Sequence, residues 1–74
     1  MNLYSLKINE KATISNINIH GDERKRLFDL GFIPGEDIEK VFLSVFNNPV
    51  CYKIKDVLIA LRNEDAIKIE VIHE

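Results

Sequence analysis

The sequence predicts a small, mainly β domain: five short strands closed into a barrel, with one short helix between the first and second strands and helical turns beside them. Three observations predict it. Eleven Ile and five Val are present, and such stiff, β-branched side chains suit a pleated, half-buried surface. Apolar and polar residues alternate in short runs bounded by Gly, Pro, Asn and Asp. A single stretch carries helical spacing, and it runs into a glycine.

Leu3 and Leu6, three residues apart, predict one helical turn over residues 1–6 that lids the core. Lys11 to Ile17 reads as the first strand, with Ala12 and Ile14 on one face. After His20-Gly21, Asp22 is placed to cap a helix whose first turn carries Glu23, where a carboxylate favours the positive end of the helix dipole. Leu27, Phe28 and Leu30 form its apolar stripe, with Arg24, Lys25, Arg26 and Asp29 on the other faces, and Gly31 supplies the left-handed stop. Phe32 and Ile33 then anchor the chain before Pro34-Gly35, the two corners of a type II turn.

The second strand is expected from about Ile38 to Phe46, with a bulge near Glu39-Lys40 where the alternation changes phase. Asn47-Asn48-Pro49 is a turn. Val50, Tyr52 and Ile54 alternate with Cys51, Lys53 and Lys55 in the third strand, and a tight turn at Lys55-Asp56 follows. Val57 to Leu61 is apolar on both faces, as expected of a strand buried in a closed barrel. Asn63 to Ala66 reads as a helical turn, and Ile67, Ile69 and Val71 as the last strand.

At 74 residues the chain has room for a single domain, 1–74. The mass scaling gives an accessible surface of about 4,700 Å², of which one standard interface would cover about a sixth. The net charge of −2 lacks the basic excess that phosphate neutralisation needs, so nucleic acid is not the expected ligand. One cysteine, Cys51, permits no internal disulfide, which points to a reducing cytoplasm. No basic segment followed by an apolar run marks a signal peptide, and no stretch approaches the ~20 apolar residues of a membrane span.

Chemistry-bearing groups are sparse. Cys51, His20 and His73 are the only thiol and imidazoles, and none stands at a metal-ligand spacing. His20 with Asp22 and Glu23 offers weak cation contacts at most. Gly31 and Gly35 flank a proline, without the following Lys-Ser/Thr of a phosphate loop. No nucleophile elbow surrounds Ser5, Ser15 or Ser44. The expectation is a protein that docks on a partner and catalyses nothing, with no catalytic, cofactor-binding or metal residues. Two docking candidates stand out. Arg24-Lys25-Arg26 is either a solvated helix face or a ridge for an acidic partner. Phe46, beside Asn47-Asn48, is either an exposed interface anchor or simple packing.

The run Arg26-Leu27-Phe28-Asp29-Leu30-Gly31-Phe32-Ile33-Pro34-Gly35 resembles the signature R-L-x-x-L-G-(aromatic/aliphatic)-x-P-G of the ferrous iron transport protein A family, FeoA. Ile59-Ala60-Leu61-Arg62-Asn63-Glu64-Asp65-Ala66-Ile67-Lys68-Ile69 is similar to that family's (L/I)-A-L-R-x-x-(D/E)-A-x-x-I, and Pro49 falls on the Pro of its hairpin motif. The likeness covers nearly the whole chain. Departures are Val45-Phe46-Asn47-Asn48-Pro49, which lacks the hairpin's first Pro, Gly and Asp, and Asn9 and Lys55-Asp56, which stand where many members have Gly. Asn can supply the same left-handed backbone.

The resemblance implies an SH3-like barrel and a cytoplasmic accessory of ferrous iron uptake that binds and modulates the membrane GTPase transporter FeoB through its cytoplasmic part. It implies no cofactor, leaves weak Fe(II) binding and self-association open, and implies no membrane insertion. The alternative is a transition-metal-responsive regulatory domain akin to the C-terminal domain of iron-dependent repressors. By the motif, Leu27, Leu30, Gly31, Phe32, Pro34, Gly35, Pro49, Ala60, Leu61, Arg62 and Ala66 are mainly structural.

Overall fold

Strands β1 (Lys11–Ile17), β2 (Asp37–Leu43), β3 (Val50–Ile54), β4 (Val57–Leu61) and β5 (Ile69–His73) form one antiparallel sheet in the order β4-β3-β2-β1-β5 in the computed structural model, which describes residues 1–45 and 47–73. Helix α1 (Gly21–Leu30) lies between β1 and β2, and the single turn α2 (Asn63–Ala66) between β4 and β5. A 3-10 turn at Leu3–Ser5 precedes the sheet, its Asn2 side chain accepting from the Ser5 N–H. This is the five-stranded architecture expected. The core collects alternate residues from the strands (Ile14, Ile17, Ile38, Val50, Tyr52, Ile54, Ile69, Val71) with Leu3 and Leu6 as the lid, Leu27 from α1 and Phe32.

The turns explain how so short a chain reverses so often. The end of α1 makes the paired bonds of a Schellman motif: Gly31 N–H donates to the Phe28 carbonyl at 3.0 Å and Phe32 N–H to that of Leu27 at 2.9 Å. Gly31 sits at φ 106°. Phe32 drops fully into the core. Pro34 and Gly35 form the expected turn, with Gly35 at φ 97° and Glu36 N–H donating to the Ile33 carbonyl at 3.0 Å. Asn9 does adopt the left-handed backbone, at φ 69°, and so do Lys55 and Asp56, at φ 49° and 64°. The Asn48–Pro49 peptide is cis.

Several expectations need correction. Helix α1 is capped by His20, still extended at φ −122°, ψ 167°, so Asp22 lies inside the first turn and acts through the dipole instead of a cap bond. Leu30 and Ile33 are exposed, not part of the apolar stripe and anchor. Strand β2 ends at Leu43 because Ser44 begins the turn: its carbonyl accepts from Asn47 N–H and its hydroxyl from Asn48 N–H, each at 3.0 Å. The bulge falls one residue later than expected, between Lys40 and Phe42. Strand β5 starts at Ile69 because Ile67 still closes α2, donating to the Asn63 carbonyl.

The largest correction concerns β4. Its two apolar faces are not the mark of burial. It is the edge of the sheet, Val57 and Leu58 are more than half exposed, and only Leu61 is buried.

Candidate docking surface

Three consecutive basic residues of α1 part company in space. Arg24 folds back: its guanidinium donates to the carbonyls of Ile17 and Ile19 and stacks over the Phe28 ring, 4.8 Å from the centroid. It ties the end of β1 to the helix, which removes it from the expected docking ridge. Lys25 and Arg26 remain exposed to solvent. The ridge is therefore a pair. Phe46, the other expected anchor, lies outside the described residues.

Arg26 also borders a cleft of about 410 Å³ between α1 and the β4–α2 junction, shared with Glu23, Pro49, Ala60, Leu61, Arg62, Glu64 and Asp65. Residues of both motif blocks meet here, although more than thirty positions separate Arg26 from Ala60 in sequence. Pro49, Ala60 and Arg62, expected to be mainly structural, are exposed at this cleft, and Leu61 is buried beneath it. Of the remaining motif residues, Leu27, Phe32 and Ala66 are buried. Asn63 holds the two turns together, its N–H donating to the Asn48 side chain and its side-chain amide to the Asn47 carbonyl, each at 3.0 Å.

Two features had no sequence signal. Lys40 is buried, and its ammonium donates to the carbonyls of Leu6 (2.8 Å) and Tyr4 (3.2 Å) beneath the Tyr4 ring. Desolvation lowers its pKa, opposed by nearby Glu10. Tyr52, its cross-strand partner, is fully buried, and its hydroxyl has no hydrogen-bond partner among the described residues. Burial, then Tyr4, pushes its pKa up to about 12. A lysine in an alternating strand reads as outward-facing. Lys40 nevertheless shares the inward face with Ile38, two residues before it, and the bulge follows it, leaving Phe42 exposed.

His20, Cys51 and His73 lie on separate elements, His73 Nε2 standing 3.3 Å from a Glu10 carboxylate oxygen. Among the described residues, no three His, Cys, Asp or Glu side chains gather as a metal site would need. Among the described residues, no helix is long and apolar enough to cross a membrane.

Comparison with known proteins places this geometry. A family model described as FeoA domain matches residues 1–73. A putative Fe(2+) transport protein A from Campylobacter jejuni is 34% identical over 96% of both chains. An Fe(2+) transport protein A/Fe(2+) transporter FeoB fusion protein from Porphyromonas gingivalis is 39% identical over 96% of this chain, which spans 8% of the fusion. Among solved structures, iron(II) transport protein A from Clostridium thermocellum superposes with a TM-score of 0.92 at 34% identity, over 99% of this chain and 45% of that one. FeoA from Stenotrophomonas maltophilia, described as a prokaryotic SH3-domain protein complexed with zinc, gives 0.79 at 27% identity over 96% of this chain and 88% of that one. The fold is thus the SH3-like barrel expected. T. acidophilum IdeR gives 0.85 at 28% identity over the whole of this chain and 34% of that one.

Proposed function

The chain belongs to the FeoA domain family, an accessory family of ferrous iron transport and not a known family of enzymes, and from that premise we propose that it is a non-enzymatic partner of the transporter FeoB. In this reading it binds the transporter's cytoplasmic part and modulates iron uptake from the cytoplasmic side, with no chemistry of its own. The observation that carries it is the fusion, in which one polypeptide joins a transport protein A segment to FeoB. Fusion holds two modules at an effective concentration in the millimolar range. A separate chain has to replace that tether with binding. The surface offered for it is Lys25 and Arg26 of α1 with the adjoining cleft. Titration calorimetry of this protein against the soluble domain of a FeoB transporter tests the reading. Saturable binding is expected, and no heat or shift at about 100 µM of either component removes it.

The likeness to IdeR favours a second reading, a metal-responsive regulatory domain. The same calorimeter separates the two. Stoichiometric, sub-micromolar Fe(II) or Zn(II) binding that alters the melting temperature would favour this alternative.

A further inference from the structure

Strand β4 is an edge without a cover. The other edge, β5, is overlaid by the N-terminus, where Asn2 bridges Glu70 and Val71 N–H donates to the Met1 carbonyl at 2.9 Å. Among the described residues no strand or bridge pairs with β4 on its far side. Natural sheets blunt such edges with an in-strand lysine, a proline or a bulge. Val57–Leu61 has none: five uncharged residues run in unbroken register with β3.

The hairpin fixes which backbone groups are free. Lys55 and Asp56, both left-handed, form a two-residue turn, so Ile54 and Val57 are its closing hydrogen-bonded pair. Alternation then directs the N–H and C=O groups of Val57, Ile59 and Leu61 to β3 and those of Leu58 and Ala60 outward.

We propose that β4 pairs antiparallel with β4 of a second copy of this chain, about a two-fold axis at Ile59. In that register Leu58 faces Ala60 of the second copy and exchanges both backbone bonds with it, and the symmetric pair does the same. The register also sets Asp56, just before the strand, opposite Arg62 of the second copy, just after it, and does so twice. Sliding the strands by two residues keeps the outward groups matched but loses both charge pairs. Self-complementarity of this kind is what an isologous interface requires. Among the described residues neither charge has a close partner: Asp56 reaches Lys53 only at 3.8 Å and Arg62 reaches Glu64 only at 4.0 Å, all with exposed side chains. On the outer face Phe42, Cys51 and Ala60 form one cross-strand row, with Phe42 53% exposed, which Leu58 of the second copy would extend.

A single strand pair covers less than the ~800 Å² per partner of a standard interface, so the dimer is weak. Sedimentation equilibrium from about 10 µM to 1 mM should show reversible monomer–dimer exchange. Asp56→Lys and Arg62→Glu each bring like charges together twice and should raise the dissociation constant about tenfold or more. Mixing the two variants in equal amounts sets lysine against glutamate and native aspartate against native arginine, so the mixture should dimerise again. Melting curves establish that each variant is folded. Independently of any variant, the Leu58 and Ala60 amides should gain protection from exchange as concentration rises, while Val57 and Ile59 stay protected throughout. A chain that stays monomeric at 1 mM overturns the proposal. So does a dimer without new protection at Leu58 and Ala60, or a mixture of folded variants that fails to associate. Protection appearing only when the transporter domain is added also overturns it, by assigning the edge to a foreign strand.

Discussion

Gly35 has φ 97° and open space where a side chain's first carbon would go, so substitution there tests backbone strain alone. Gly35→Val should cost on the order of 1–3 kcal/mol. Gly31 is equally left-handed, but a Cβ there would meet Ile54 Cγ2 at 3.2 Å, so Gly31→Val should cost more than the same change at Gly35. Chemical denaturation of the two variants checks the order, and equal losses would mean that packing at Ile54 is slack. Tyr52 is the residue whose chemistry shows in a pH profile. Its phenol loses a proton near pH 10 in the unfolded chain and near about 12 in the fold. Between those values the unfolded chain has released the proton and the folded one has kept it, so stability falls as pH rises. Below pH 10 the contribution is fully present. Tyr52→Phe should abolish this alkaline slope. At pH 7 it should leave stability unchanged or raise it by up to about 1 kcal/mol, since the hydroxyl it removes has no partner among the described residues. A loss of more than about 2 kcal/mol would show that the hydroxyl is satisfied.

Lys40 fastens one element to another. It carries the N-terminal turn to the back of β2 through two carbonyls, and nothing else in that turn is polar and buried. Lys40→Met keeps the apolar stem and removes the donor. Amide exchange should then quicken in residues 2–6, where Leu6 N–H bonds the Leu3 carbonyl, and leave the β2–β3 ladder protected. Exchange unchanged at Leu6 would show that Leu3 and Leu6 hold the lid by packing alone. Lys40 also shows where reading a sequence stops. The limits of β1 were legible because Ala12, Ile14 and Ile17 bury on one side while turn residues flank the run. The stop at Gly31 and the turn at Pro34-Gly35 were legible because they need particular residue types. Burial was not, where it depends on neighbours far along the chain. Lys40 takes an inward position two residues after Ile38, where the Tyr4 and Leu6 carbonyls of the N-terminal turn receive its ammonium, and Val57 and Leu58 of β4 lie exposed at the edge of the sheet. Periodicity reports which residues share a face and leaves open what that face meets.

The whole molecule exposes 4710 Å², so a standard partner covering ~800 Å² would shield a sixth of it and stabilise a thin core by mass action. Which part is shielded depends on how the surface divides, and α1 divides it in adjacent residues. Arg24 spends its donors on Ile17 and Ile19 within the fold, whereas Lys25 and Arg26 face solvent. Variants should separate accordingly. Arg24→Ala should cost about 1–3 kcal/mol of stability, because two carbonyls lose a charged donor, with little effect on affinity for the transporter domain beyond that loss. Reversing Lys25 and Arg26 to Glu should leave the melting temperature within a few degrees, as exposed substitutions do. At about 20 mM salt it should slow association roughly tenfold, and the difference should shrink near 500 mM, where screening falls within a few ångströms. Stopped-flow association at the two ionic strengths measures this directly. If the reversed variant associates at the wild-type rate at low salt, α1 is not the docking face. The cleft residues around Ala60 and Arg62, which Arg26 borders, would then be next to mutate.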